Sequence, residues 1–483
     1  MEDEDLEKLP SYYRLIKSYE GKGSIHLSDG SKIDCDFECG QNEEGDIIVG
    51  LNTDPSNFPV VWSVLDDSKV ISHVSGNTST GQFLEANISL WTHFSLSSDS
   101  ERSSAFLIAY ARDLTVGKEP TVPLNALKSY LVNFEFVLPL GLRFRGFDIT
   151  IKKVDGYEEI EREMKATKRP KMTAQLTVTS SSNQIINISE VEQILRDICL
   201  LLSLAKGCRI QWLYWDAYSA DEKQVRSHHW NGWSSAFGDW FIVLDNPPED
   251  ILDYLRQVLE PYQDAQKEGI WRFDRAIMHF VDTVSSRNVL ELKATNLVVL
   301  TDYLTQLFAK HKKMNYFIER GSFADKKHNL QEAVRKLLGD LFSGGDLVEN
   351  EYTHKKKGSA KKRTIQEMAD KAECLNSRSF KSLLRRLQKD HLNLKVEEDE
   401  LDLFIKIRNK LVHEASFLEE DDFTDMGIPY ESKPNQFYRI LSLTSRTMLA
   451  ILNYHGYYHD WLKFKSVGPH VSGRVKMLYL EAG

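Results

Sequence analysis

The chain has 483 residues, is 41% hydrophobic and 27% charged, and carries a formal net charge of -10. That is enough apolar material for two or three cored domains and excludes disorder throughout. The acidic balance excludes nucleic-acid binding through the whole-molecule field, so any RNA surface has to be a local basic cluster. Five cysteines, at 35, 39, 199, 208 and 374, form no repeating framework, which suits a reducing compartment. Cys35 and Cys39 have three residues between them and no second pair, too sparse for a zinc site. The opening MEDEDLEKLP has no apolar leader core, and no run approaches the roughly 18 apolar residues of a spanning helix. A cytoplasmic protein without membrane attachment is expected, in which the sequons at Asn77, Asn87 and Asn187 are chance matches.

Residues 11–245 read mostly as strands and turns. SYYRLIKSYEGKGSIHLSDGSKIDCDFECG alternates apolar and polar residues and turns at Ser28-Asp29-Gly30, a hairpin pattern. Further strands are expected at Val60–Val64, Phe83–Phe94, Ser104–Arg112, Ser129–Leu138, Leu142–Val154 and Met172–Thr179. Their spacing predicts an antiparallel sandwich or barrel, with 1–150 and 151–245 as candidate lobes. One helix interrupts them: Ser189 with Glu192 forms a capping box, VEQILRDICLLLSLA follows, and Gly207 supplies a stop. Trp212, Trp215, Trp230, Trp233 and Trp240 cluster after it. Aromatics can stack bases, but at strand spacing the reading is core. His228 and His229 are adjacent, so their side chains diverge on a strand; with Asp216, Asp221 and Asp239 they make a rival metal-hydrolase reading that no ligand spacing supports.

LDNPPED at Leu244–Asp250 changes the texture of the chain, and residues 246–483 have helical period almost throughout. Helices are expected at 249–267, 270–285, 288–313, 323–342, 364–374, 377–391, 399–417 and 434–462, an all-α bundle after a β-rich half and hence an α+β multidomain chain. The link SGGDLVENEYTHKKKGSAKKR ends in Lys355, Lys356, Lys357, Lys361, Lys362 and Arg363. These cations could hold RNA phosphates in an otherwise acidic protein; a solvated loop is the alternative. Lys165–Lys171 and Lys310–Lys313 are lesser clusters of the same kind. No glycine-rich phosphate loop is present.

The run ELDLFIKIRNKLVHEASF carries the chemistry. At about 100° per residue, Leu401, Phe404, Ile405, Ile407, Leu411, Val412 and Ala415 gather on one face, with Arg408 near its middle. His413 lies at the polar margin beside Asn409 and Lys406. A guanidinium there needs an anionic partner or a wet cleft, because desolvating an unpaired charge costs several kcal/mol. A salt-bridged Arg beside a surface His is the plain alternative.

Arg408, Asn409, three residues, then His413, late in a helical domain, resembles the HEPN superfamily of all-helical, metal-independent ribonucleases. RNA carries its own nucleophile in the 2'-hydroxyl. A histidine can take or give a proton near neutral pH, and an arginine can hold non-bridging phosphate oxygens. Asn409 could orient the imidazole or add a donor. The resemblance implies catalytic Arg408, His413 and Asn409, no cofactor or metal, and a homodimer in which two motifs face each other across one phosphate. The helix 434–462, with Tyr454, His455, Tyr457 and Tyr458, is a candidate lining of that cleft. A β-rich half before such a domain is similar to ApeA-like anti-phage proteins. This implies tRNA as target, abortive infection as role, and a β half that senses a phage-derived trigger or restrains the nuclease. A HEPN-like module that binds nucleotides or a partner without cleaving is the alternative.

Overall fold

The computed structural model describes residues 14–27, 30–57, 71–99, 102–135, 139–181, 185–232, 240–243, 249–269, 272–316, 320–341, 377–462 and 478–479. The architecture is α+β, with fourteen strands and ten α-helices among the described residues. The chain separates into two compact units. Their boundary differs from a single break after residue 245, because residues 273–288 and 452–462 join the β-rich unit.

Six strands of the first unit close into an antiparallel barrel. They are β1 (Leu15–Leu27), β2 (Lys32–Asn42), β3 (Ile47–Thr53), β4 (Ile71–Thr78), β5 (Phe83–Asp99) and β6 (Arg102–Val116). The order is β3-β2-β1-β4-β5-β6, and β3 pairs back onto β6 from Ile47↔Ala111 to Thr53↔Ala105. Period-two alternation builds the interior: Ile33, Cys35, Phe37 and Cys39 of β2 all point inward, against Ile25, Val49, Leu84 and Leu107. The cysteine pair is thus barrel filling. Burial pushes the Cys35 thiol up to about 12 and Cys39 higher still, so neither is a thiolate at neutral pH. The expected strand at Val60–Val64 and the turn residues Ser28 and Asp29 lie outside the described residues.

Past the barrel seam the free edge of β6 continues into a second run of strands, β12-β11-β7-β10-β9-β8. These are β7 (Leu124–Val132), β8 (Leu140–Phe144), β9 (Phe147–Lys153), β10 (Met172–Ser180), β11 (Gln211–Ser219) and β12 (Gln224–Trp230), with α1 (Tyr157–Thr167) between β9 and β10. The expected single strand Leu142–Val154 breaks into a hairpin because Arg145 and Gly146 both take positive φ, a two-residue turn matched to strand twist. A buried polar chain ties barrel to sheet. Lys17 lies 2.6 Å from Asp216, which accepts from Ser227 Oγ, and His229 bridges the Tyr19 hydroxyl and the Gln41 side chain at 3.0 Å each. Burial keeps His229 neutral, its pKa well below the ordinary imidazole value.

The helix α2 (Ile188–Lys206) covers this sheet and packs on α4 (Phe273–Ser285). Its cap is Asn187, whose side chain accepts from the Ser189 and Glu190 amides, and not the expected Ser189/Glu192 box. Asn caps as well as Ser does, and starting the helix two residues earlier frees Glu192 to accept from the Trp215 indole at 2.9 Å. Trp212 and Trp215 are core, as strand spacing predicts. α3 (Glu249–Glu268) contributes most of its length to this unit, and its Gln263 donates to Asp197 of α2 at 2.7 Å.

The second unit is helical: α5 (Leu290–His311), α6 (Arg320–Leu341), α7 (Phe380–Arg385), α8 (Glu398–Glu414), α9 (Glu420–Met426) and α10 (Lys433–Ile451). A π-helical turn, Arg386–His391, continues α7. α5 packs against α7, α8 and α10. Between the apolar contacts runs a polar seam, Thr301 to Thr444 at 2.9 Å and Gln388 to Thr447 at 2.6 Å. The last helix stops at Ile451, short of the expected 462. Tyr454, His455 and Tyr458 therefore lie beyond it, and Tyr454 packs edge-on to Tyr254 within the first unit.

Gly207 closes α2 at φ 64, where an added Cβ would stand 1.9 Å from the Trp240 carbonyl oxygen. Gly156 has φ 71 at the start of α1 but open space around it. Gly156→Ala should therefore cost about 1 kcal/mol from backbone conformation alone. Gly207→Ala should cost several-fold more in urea unfolding, and equal costs would contradict this placement.

Candidate active site

α8 follows from its sequence. Three acidic residues, Glu398, Asp399 and Glu400, occupy its first turn and complement the helix dipole, while Ala415 ends it at φ 53. Lys381 and Arg385 of α7 and Arg446 of α10 pair with Asp402, Glu398 and Glu400 respectively. The N-terminal half of the helix is thereby clamped. Its packed stripe is Leu401, Phe404, Ile407 and Leu411.

Arg408 is not in the middle of that stripe. Ile405 is half-buried, while Val412 and Ala415 are exposed, Ala415 lying past the helix end. Arg408 therefore stands at the border between the packed face and an exposed strip. Its Nη2 donates to Asp302 Oδ2 of α5 at 2.6 Å, its Nη1 to Asn409 Oδ1 at 3.1 Å, and its Cζ lies 5.1 Å from the Phe380 ring centre. The two ion-pair side chains are 21% and 26% exposed. At that depth the pair is screened less than a surface bridge and is desolvated less than a core one. Arg408 Nε and Asp302 Oδ1 are both buried without a partner among the described residues. The pair is therefore fixed through Asp302 Oδ2 and the two terminal nitrogens of Arg408, with hydrogen-bonding capacity left over.

His413 is exposed, with no hydrogen bond or ion pair among the described residues. It shares a stripe with exposed Lys406 and Asn409, seven and four residues before it along the helix. The five-residue step from Arg408 is about 140° around the axis and ~7.5 Å along it. Within one chain the guanidinium and imidazole therefore face different directions, and no hydrogen bond joins them. Asn409 holds Arg408 and not the imidazole, which replaces its expected role of orienting His413. Asp302 and Phe380 escaped sequence reading: one lies 106 residues before Arg408, and neither sits in a recognisable pattern.

The six cations Lys355, Lys356, Lys357, Lys361, Lys362 and Arg363 lie outside the described residues. Of the lesser clusters, Lys165–Lys171 is largely neutralised internally. Lys165 pairs with Glu135 and Glu161, and buried Lys171 lies 2.5 Å from Glu43 and 2.9 Å from Glu163. Lys310, Lys312 and Lys313 are exposed at the end of α5 and carry no ion pair among the described residues. His228 and His229 face opposite sides of β12. No cluster of three His, Cys, Asp or Glu arranged to hold a metal occurs among the described residues. No described helix is long and apolar enough to cross a membrane.

Residues 138–242 match the family model of the YopA central domain, less than a quarter of the chain. That stretch holds β8 to β12 with α1 and α2, and excludes the barrel and α8. Neither a curated protein nor a solved structure matches the chain.

A double-mutant cycle on Arg408→Met and Asp302→Leu measures the ion pair. Each single change should destabilise by about 1–3 kcal/mol, because it leaves a half-buried charge without its partner. The double change should recover about 1–2 kcal/mol of that sum. Strict additivity in urea unfolding would mean that the two side chains do not support each other.

Proposed function

We propose that the chain is a metal-independent endoribonuclease of HEPN type, acting on tRNA in anti-phage defence, with Arg408 and His413 of two copies assembled around one phosphodiester. The observation that supports this most is a half-buried guanidinium held at the edge of a packed helix face by Asp302, with an unpartnered imidazole one and a third turns on. Core packing alone gives no reason to keep a charge there. Exposed Val412 (43%) on α8, and Val299 (50%) and Tyr303 (37%) on α5, flank the ion pair within one helical turn on each helix. Apolar side chains around a charged centre are the make-up of an interface core with a buried polar site. A second copy packed there would bring its own His413 to the far side of the phosphate, which one copy cannot do with its two groups pointing about 140° apart.

The reaction needs no group beyond those of the chain and the RNA. One imidazole takes the 2'-hydroxyl proton and the oxygen attacks the adjacent phosphorus. The paired guanidiniums hold the non-bridging oxygens as charge builds, and the second imidazole, protonated, gives its proton to the departing 5'-oxygen. The products are a 2',3'-cyclic phosphate and a 5'-hydroxyl. Asp302 serves as the positioning residue for Arg408. The β-rich unit is assigned the sensing or restraining of this site, and Lys355, Lys356, Lys357, Lys361, Lys362 and Arg363 the holding of RNA phosphates.

One observation favours the alternative of a non-cleaving binding module: Arg408 already has a carboxylate partner in its own chain. Full-length protein incubated with total tRNA in EDTA separates the two. The nuclease reading expects fragments ending in cyclic phosphate and 5'-hydroxyl, with rates falling by about 10²–10⁴ in His413→Ala and Arg408→Ala proteins that circular dichroism shows to be folded at the assay temperature. Cleavage that survives both changes, or that requires a divalent metal, overturns it.

A further inference from the structure

The first unit holds a cleft that the nuclease reading leaves unused. The pleat of β12 sends Ser227 and His229 into the buried network and presents Arg226, His228 and Trp230 together on the other face. Opposite them, α2 presents Glu192 and Arg196, one turn apart. Between these rows lies a cavity of about 550 Å³, within the range of small-molecule sites. A second hollow of about 440 Å³ shares the Arg196 and Trp230 wall.

The groups on these walls are unevenly committed. Trp230 is 39% exposed, whereas Trp212 and Trp215 are 5% and 2% exposed, so of these three indoles this one is accessible to a ligand. Arg196 stands 5.8 Å from that ring and has no carboxylate partner among the described residues. Among the described residues Arg226 pairs with Glu119 alone, whose side chain is 79% exposed, and its Nε is buried without a partner. His228, which lines the cavity, is fixed through Nδ1 to the Thr115 hydroxyl at 3.0 Å, and its Nε2 has no hydrogen bond among the described residues. Burial lowers its pKa, so the ring is neutral and can accept or donate according to tautomer. Glu192 gives one oxygen to the Trp215 indole and keeps the other.

We infer that this cleft binds a nucleoside phosphate, its base stacked on Trp230, its phosphate on the Arg196 and Arg226 guanidiniums, and its base edge read by Glu192 and His228. An accessible indole fits a planar ring, guanidinium forks fit phosphate, and a carboxylate beside them fits a base edge that donates N–H groups. That carboxylate also works against a bare polyanion, so inorganic phosphate should bind poorly. The ligand could be a free nucleotide or the phosphorylated end of an RNA.

Isothermal titration of the full-length protein with AMP, GMP, UMP, the triphosphates, inorganic phosphate and a 5'-phosphorylated hexaribonucleotide tests this. The expected result is saturable binding of at least one nucleotide, weakened about 10-fold or more by Trp230→Ala and by Arg196→Ala. Both side chains are exposed, and circular dichroism with the unfolding midpoint checks that each variant folds. Arg408→Ala and His413→Ala should leave the affinity unchanged, which separates this site from the nuclease site whatever the fate of that reading. Tighter binding of the hexaribonucleotide than of any mononucleotide assigns the ligand to an RNA end, and the reverse order to a free nucleotide. Absence of binding by every nucleotide at millimolar concentration, or affinity unaltered by both substitutions, overturns the inference.

Discussion

A guanidinium cannot sit at the edge of a packed helix face without something to hold its charge, and in this protein that something is Asp302. The pair joins α5 to α8 at 2.6 Å and Phe380 closes its other side, so three elements converge on one cation. The rest of α8 is arranged to the same end: basic residues of α7 and α10 clamp its acidic first turns, and the exposed strip is left to the half that carries His413. A guanidinium held between a carboxylate and an aromatic ring keeps one orientation at that border.

In the first unit the corresponding constraint is β6. One edge pairs with β5 along nearly its whole length, while the other serves β3 from Ala105 to Ala111 and β12 from Asp113 to Val116. A single strand thus closes the barrel and seeds the second sheet. The junction brings Lys17, Tyr19 and Gln41 of the barrel onto Asp216, Ser227 and His229 of the sheet. With the inner face of β12 committed to that network, the pleat leaves Arg226, His228 and Trp230 no place but the open cleft.

Much of this was legible in the chain because it is local. Alternation marks β2 and β10, the helical period marks α5 and α8, and Gly207 marks the end of α2. What is long-range was not. Nothing near Asp302 says that it will meet a residue 106 positions later, and nothing in QFYRILSLTSRTMLAILNYHGYY says that the helix ends at Ile451 so that Tyr454 can pack on Tyr254. Helical period also overstated the apolar face of α8. Val412 and Ala415 are apolar and exposed, because the buried residues of the helix are Leu401, Leu403, Phe404, Ile407 and Leu411 alone. Period two already separates His228 from His229, but that the face of His228 also carries Arg226 and Trp230 opposite α2 depends on long-range packing.

The central claim is that Arg408 and His413 act together on RNA. Sequencing of 5'-hydroxyl RNA ends in cells that express the wild type or the His413→Ala protein at equal levels tests it most directly. The account predicts a set of tRNA cleavage ends present with the wild type and missing with the variant. Identical end profiles in the two, in growing and in phage-infected cells alike, would contradict it.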